Sequence, residues 1–289
     1  MSIIIDKNSK VVVQGITGNE GRFHTASMLH YGTKVVAGVT PGKGGQQIAD
    51  VPVYDTVSEA VTKHGANTSI IFVPARFTRS AVIEAIDADI KTLVVITEGL
   101  PQRDAIELVA RANKKGDVNI IGPNCPGIIN PPRKIMVGIM PDHIFRPGGV
   151  GIASRSGTLT YEITWYISHA GLGQSTCVGL GGDPIVGLDF IKILEMFKED
   201  EETKGVVLIG EIGGNAEELA AQYIAETNYP KPVVAYIAGR LAPPGKRMGH
   251  AGAIIMGNTG TASSKIKAFT KAGIPVAEKP SDITDLLNI

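Results

Sequence analysis

Three groups of residues in this 289-residue sequence have the types and spacing to do chemistry. The first is His250 in GKRMGHAGAI (245–254), a histidine on a turn flanked by Gly249 and Gly252. A neutral imidazole is a good nucleophile toward phosphorus and titrates near neutral pH. Its other ring nitrogen must then be held in one tautomer, and a carboxylate does this best. The candidate is Glu211 in GEIGG (210–214), an acid that ends an otherwise apolar run. The bland alternatives are a surface-loop histidine and a solvated strand-end acid. His24, His30, His64, His143 and His169 are scattered and form no metal-ligand spacing, so no metal site is expected. His64 and His169 lie near helix C-termini, where a positive charge complements the helix dipole.

The second group is SRSGTLTYE (154–162), where a strand meets a helix. Ser154, Ser156 and Thr158 supply hydroxyls, and Gly157 gives backbone access. The N–H groups of a first helical turn lack intrahelical partners and suit an anion. Ordinary N-capping would use some of the same residues. Three hydroxyls with a glycine exceed what one cap requires, so phosphate is the expected ligand.

The third group is QGITGNEGR (14–22), a Gly-rich loop between a strand and a helix. Its glycines, Gly15, Gly18 and Gly21, are spaced GxxGxxG rather than in the usual dinucleotide pattern GxGxxG. A dinucleotide enzyme also carries an acid near the end of its second strand for the ribose hydroxyl. That strand here ends AGVTPGKGG (37–45), with Lys43 in place of an acid. Lysine suits a phosphate, which argues against NAD and for NADP or coenzyme A. A solvated turn lysine is the plain alternative. GVTPGKGG and GRLAPPGKR lack the spacing and the Ser/Thr of a Walker A loop, so no ATP site is expected on this chain.

The elements that must position these groups alternate regularly. Strands are expected at 11–15, 34–39, 69–74, 92–99 and 119–124, with helices between them, one of them over VYDTVSEAVTKHG (53–65). Residues 122–149 are rich in Pro and Gly and show no helical period, which marks a domain boundary. The alternation then restarts, with strands at 149–154, 175–182, 204–214 and 231–239 and a short last one in PVAEK. This pattern predicts right-handed βαβ units and two α/β domains with doubly wound parallel sheets. The boundaries are expected at 1–124, 125–148 as a linker, and 149–289.

Composition narrows the function. Lysine and arginine total 28, as do aspartate and glutamate, so the net charge is zero. Neither nucleic acid nor a membrane surface is an expected partner. No apolar run reaches the ~18 residues that a membrane span needs. The start, MSIIIDKNSK, is charged too early for a signal peptide, and two cysteines make no disulfide framework. The expected setting is a reducing compartment: the bacterial cytosol, or the mitochondrial matrix if the source is eukaryotic.

Eight stretches in order resemble the α subunits of succinyl-CoA synthetases. They are QGITGNEGRFH (14–24), GVTPGKGG (38–45), VITEG (95–99), GPNCPGII (122–129), SRSGTLTYE (154–162), QSTCVGLGGDP (174–184), GEIGG (210–214) and GKRMGHAGAI (245–254). Each is weak alone; together they cover essentially the whole chain and are specific. The resemblance implies a Rossmann-like CoA-binding domain followed by a flavodoxin-like ligase domain. It implies that Thr17, Gly18, Asn19, Glu20, Lys43, Ile96, Thr97 and Glu98 bind coenzyme A. It makes His250 the phosphorylated residue, Glu211 its orienting group and Ser154 to Thr158 the phosphate-binding helix start. Tyr161 would lie near the substrate, and Cys125 near the CoA thiol without an assigned duty.

The implied reaction joins succinate to CoA through succinyl phosphate and is reversible. ATP or GTP with Mg would sit on a partner β subunit with an ATP-grasp domain, in an αβ or α2β2 assembly. Residues 131–140 and 225–232 depart from the family pattern in ways that look like loop variation. A relative that activates another dicarboxylate, such as malate, stays open. So do an NADP-dependent oxidoreductase and a non-catalytic CoA sensor. The helix start at 154–162 and the Glu211/His250 pair, which a dehydrogenase does not need, favour the ligase.

Overall fold

The computed structural model describes residues 3–243, 245–257, 260–287 and 289. The chain forms two compact units. One comprises residues 4–140 and 185–187, and the other Ile3, 141–184 and 188–289.

The first unit runs β1 (Val11–Gln14), α1 (Asn19–Tyr31), β2 (Val35–Val39), β3 (Gln47–Ile48), β4 (Val51–Tyr54), α2 (Val57–His64), β5 (Thr68–Ile71), α3 (Ala75–Asp87), β6 (Thr92–Val95), α4 (Gln102–Lys115) and β7 (Asn119–Ile121). Its sheet has the order β3-β4-β2-β1-β5-β6-β7, parallel apart from the short β3 against β4. β1 and β5 are buried at every position, as expected of strands covered on both faces. The apolar sides of α2, α3 and α4, including Ala60, Val82, Ile86, Leu108 and Ala112, join Val12, Ile71, Leu93 and Val95 in one core. The chain moves from β1 to β2 on one side and later places β5 on the other side of β1. A crevice therefore opens between β1 and β5 at their C-terminal ends, where such sheets take ligands.

Two details differ from the sequence reading. Val53 and Tyr54 belong to β4, and α2 starts at Val57 with the Thr56 hydroxyl accepting from the Glu59 N–H. Thr56 is a better N-cap than the apolar residues before it, so the helix starts there. The segment expected to be a linker is also ordered: β8 (Gly127–Asn130) and β9 (Ile135–Gly138) pair antiparallel. The turn between them is set by Pro131 and Pro132 and by the Asn130 side chain, which accepts from the Arg133 N–H. This hairpin is tied to α1's exit, where Thr33 Oγ1 donates to the Met136 carbonyl at 2.7 Å and accepts its N–H at 2.9 Å. Helical periodicity could not reveal it, because the strands are short and one is an Ile-Met-Val run.

The second unit runs β10 (Pro147–Ser154), α5 (Gly157–His169), β11 (Gln174–Gly179), α6 (Phe190–Glu199), β12 (Gly205–Gly210), α7 (Ala216–Glu226), β13 (Val233–Ile237), α8 (Ala262–Lys271), β14 (Val276–Ala277) and α9 (Ile283–Leu286). Its parallel strands lie in the order β14-β13-β12-β10-β11, the flavodoxin-like arrangement. β11 and β12 are buried throughout. Here the switch in direction falls between β10 and β12, so Ser154 and Glu211 stand on either side of it.

Candidate functional site

In the second unit, β12 ends at Gly210 and delivers Glu211 into the switch point. Both carboxylate oxygens of Glu211 face His250: Nδ1 lies 2.8 Å from Oε2 and 3.0 Å from Oε1. A carboxylate only accepts, so Nδ1 carries the proton and the lone pair is left on Nε2. The Glu211 side chain is 8% exposed and that of His250 29%. The pair is thus sunk at its carboxylate end and reaches solvent at its ring.

Glycine backbone sets the ring's position. A Cβ on Gly182 would lie 2.3 Å from His250 Cγ, so only glycine lets the imidazole settle there. The Gly252 N–H donates to the Gly182 carbonyl at 3.0 Å. A Cβ on Gly213 (φ +93°) would meet the Gly252 carbonyl at 1.9 Å. The loop is closed on itself by Ala253 N–H to His250 O (3.1 Å) and Met248 N–H to Ala253 O (2.8 Å). Ala253 and Ile255 are buried and anchor it.

Sequence reasoning missed the group behind Glu211. Arg155, between the two serines, is buried, and its guanidinium lies 3.6 Å from Glu211 Oε1 and 3.3 Å from Glu217 Oε1. Glu217 and Lys265 are wholly buried and paired with each other. AEELA and SSKIKAF read as ordinary amphipathic helix; the only signal was a charge on each helix's buried face.

The helix start at 154–158 differs in detail from the expectation. Ser154 Oγ donates to the Ser156 carbonyl (2.9 Å) and accepts its N–H (3.1 Å). Ser156 is the N-cap of α5 and accepts from the Leu159 N–H at 3.3 Å. These two hydroxyls therefore shape the turn, and the anion-binding capacity rests on the first-turn N–H groups around Gly157 and the exposed Thr158. Tyr161 follows one turn later, half-buried.

In the first unit, a crevice of about 480 Å³ lies at the β1/β5 switch point. Gln14, Gly15, Thr17, Gly18, Thr40 and Phe72 are among its lining residues. The three loop glycines have separate duties. Gly15 takes φ +81°, Gly18 is the N-cap of α1, and a Cβ on Gly21 would meet the Gly15 carbonyl at 2.3 Å. An N-cap without a side chain leaves the N–H groups of Asn19, Glu20 and Gly21 to an anion.

Of the residues expected to bind the ligand, Thr17 and Gly18 line the crevice, and Asn19 and Glu20 open the helix beside it. The Thr17 hydroxyl donates to that of Thr40 (3.2 Å). Lys43 is exposed two residues beyond the lining Pro41, and its N–H donates to the Thr40 carbonyl at 3.0 Å. Ile96, Thr97 and Glu98 follow β6, and the Thr97 hydroxyl donates to the carbonyl of the lining Val73 at 2.8 Å. Phe72, Val73, Pro74 and Phe77 were not foreseen as walls, although IFVPARF follows the strand across the switch point. Behind Phe72 stacks His24, with ring centroids 5.5 Å apart. Burial pushes the His24 pKa below its ordinary value, and Glu20 at 3.4 Å opposes this. Cys125 is buried with its thiol against the Val95 carbonyl at 3.3 Å.

Two family models match the chain. Residues 6–99 match the family described as CoA binding domain, and residues 153–274 that described as CoA-ligase. The chain is 59% identical over 287 residues to an Archaeoglobus fulgidus succinate–CoA ligase [ADP-forming] subunit alpha 2, covering 99% of each. It is 56% identical over 284 residues to the corresponding Aquifex aeolicus subunit alpha, covering 98% of this chain and 92% of that one. Among solved structures it resembles an ATP citrate lyase from Methanothrix soehngenii in complex with citrate and coenzyme A. The TM-score is 0.88 at 27% identity; 98% of this chain is covered, and it spans 50% of that one.

Proposed function

We infer that this chain, which belongs to the family of ADP-forming succinate–CoA ligase α subunits, is the CoA-binding and phosphoryl-carrying half of such a ligase. The observation that carries the chemistry is the His250 ring, held over Gly182 with Nδ1 on Glu211. A partner β subunit holds ATP and Mg; the stoichiometry is αβ or α2β2. The reaction belongs to the tricarboxylic acid cycle of the cytoplasm.

CoA cannot displace oxide from a carboxylate, so the acid must first be given a better leaving group. Nε2 of His250 attacks the γ-phosphorus of ATP, and ADP departs with the bonding electrons. Glu211 holds the Nδ1 proton and balances the positive charge that develops on the ring. A succinate carboxylate oxygen then takes the phosphoryl group from Nε2, which restores the imidazole and gives succinyl phosphate. The α5 N-terminus around Gly157 and Thr158 holds the phosphoryl oxygens, with Ser154 and Ser156 fixing the turn and Tyr161 beside the acid. The CoA thiol, deprotonated, attacks the acyl carbon; phosphate leaves and succinyl-CoA forms. Covalent catalysis thus divides one hard step into easier ones.

The first unit's crevice fits CoA: it has apolar walls, and open N–H donors at α1 and Lys43 suit phosphates. Thr17, Gly18, Asn19, Glu20, Lys43 and the 96–98 loop are its proposed contacts. Residues 4–140 form the CoA domain and 141–289, apart from 185–187, the phosphohistidine domain.

The test is phosphate on His250. The chain is co-expressed with its β partner and given labelled ATP. Acid-labile, base-stable label in wild type, absent from His250→Asn and discharged by succinate plus CoA, is expected. CoA binding without any label in wild type would sink the phosphohistidine reading.

A further inference from the structure

Behind Glu211 lies a chain of buried charges that the mechanism above does not use. Glu217, on the first turn of α7, is the hub. Its Oε1 accepts the Glu211 backbone N–H at 3.1 Å and lies 3.3 Å from Arg155 Nη1, while its Oε2 is paired with Lys265 Nζ. Lys265, from α8, is 0% exposed, and its other donors go to the Gly214 carbonyl (3.1 Å) and Glu218 Oε2 (3.0 Å). Arg155 also donates to the Gly213 carbonyl at 3.3 Å and reaches Glu211 Oε1 at 3.6 Å. A Cβ on Gly210 would meet Glu217 Cγ at 2.5 Å, so the hub is pressed against the strand end itself. Every residue from Gly210 to Gly214 is thereby gripped from behind, apart from Ile212, which is packed in the core.

Burying four charges is costly, and an apolar cluster would hold the fold as well. The geometry therefore points to a second duty: we propose that Arg155, Glu217 and Lys265 are positioning residues that set how Glu211 holds His250. Arg155 is the adjustable member. Glu217 draws the guanidinium back, so Arg155 stays at 3.6 Å from Glu211 and both Glu211 oxygens remain on Nδ1. Lys265 in turn neutralises Glu217. Without the Glu217 charge, Arg155 closes on Glu211 as a bidentate pair and competes with the imidazole. The charged group on the ring is Glu211, with Arg155 behind it; in the chain, Asp183 follows Gly182, and Lys246 and Arg247 precede His250 on its own loop.

The inference rests on the phosphohistidine reading only for its effect on rate; its effect on the ring stands apart from it. The experiment therefore has two readouts on the αβ complex: NMR titration of the His250 ring, and the rate of phosphorylation by labelled ATP against pH. In Glu217→Gln the His250 titration is expected to move down by roughly one pH unit, since its carboxylate partner is diverted. Phosphorylation is expected to fall by roughly 10- to 100-fold, in the range for loss of an outer positioning group. CoA affinity stays unchanged. Adding Glu217→Gln to Glu211→Gln should slow the reaction no further, because Glu217 acts through Glu211. Glu217→Gln leaves Lys265 with Glu218 as its one carboxylate partner; if that variant does not fold, Glu217→Gln with Lys265→Met removes the buried Glu217–Lys265 pair and is read in its place. An unmoved His250 titration in the folded variant overturns the proposal. So do losses that multiply in the Glu211/Glu217 double variant. Failure of the phosphohistidine reading looks different: wild type takes no label, whatever the ring titration does.

Discussion

The two candidate sites occupy the same place in their sheets and are built from different materials. Each lies at the C-terminal ends of parallel strands where the strand order reverses: β1/β5 in the first unit, β10/β12 in the second. The first is walled by backbone, threonines and apolar rings, and its helix starts on Gly18 with no side chain on the open N–H groups. The second is walled by buried charge: Glu211, Arg155, Glu217 and Lys265 converge under one histidine. The difference fits the proposed work. Holding a ligand needs a shape and a few donors, and water can stay at the rim. Making and breaking a P–N bond needs one ring in one tautomer, and only fixed, desolvated charges hold it so.

This contrast can be broken, most severely at the proposed nucleophile. His250→Asn should lower phosphate incorporation by roughly 10³-fold or more and leave CoA affinity within twofold of wild type. Filter-bound label and CoA calorimetry on the same complex read both; lost CoA binding would mean the two sites are not separate in function. Glu211→Gln keeps the shape and removes the charge, and phosphorylation should fall by roughly 10²-fold. Gly182→Ala tests the cradle: the new Cβ must displace the ring from its 2.3 Å approach, so the rate should fall roughly 10-fold with little loss of melting temperature. An unchanged rate would show that the backbone at 182 does not position the histidine.

The first crevice should respond gently. Lys43→Ala should raise the Kd for CoA by roughly threefold to tenfold, the range for one exposed charge, and leave labelling of His250 intact. The smallest effect concerns pH. Burial lowers the folded-state pKa of His24 below its ordinary 6.5, so the unfolded chain binds a proton more readily. The neutral ring's contribution to stability is complete above about pH 6.5 and is lost as pH falls through the folded-state value. Urea midpoints at pH 7.5 and 5.5 should differ more for wild type than for His24→Gln. Equal differences would remove His24 from the account.

Much of the fold was legible because each unit repeats a strong local rule. Val11–Val13, Ile70–Ile71 and Leu93–Val95 are short apolar runs, each followed by a helix, and the strands that alternate with helices are parallel as that alternation requires. The hairpin at 127–138 was not legible, since its register depends on Asn130, a proline turn and the distant Thr33. The candidate site shows the same split. His250 and Glu211 stand in glycine-bracketed loops whose local sequence is odd. Glu217 and Lys265 stand in helices whose local sequence is ordinary. At Ser154 and Ser156 the structure adds a duty to the expected one: both hydroxyl oxygens accept N–H groups of the turn.

By itself, then, the sequence determined the class of fold, the glycine-marked loops and the residue types able to carry phosphate. These depend on periodicity and on backbone freedom, which are local. Only the tertiary structure decided that Nδ1 of His250 meets Glu211, 39 residues away, over a glycine from a third loop, Gly182. Only it decided that Arg155 turns away from the helix start toward Glu217, and that Lys265 lies fully desolvated beneath both. The reason is physical: a charge declares its role through what surrounds it, and that is fixed when the strands come together.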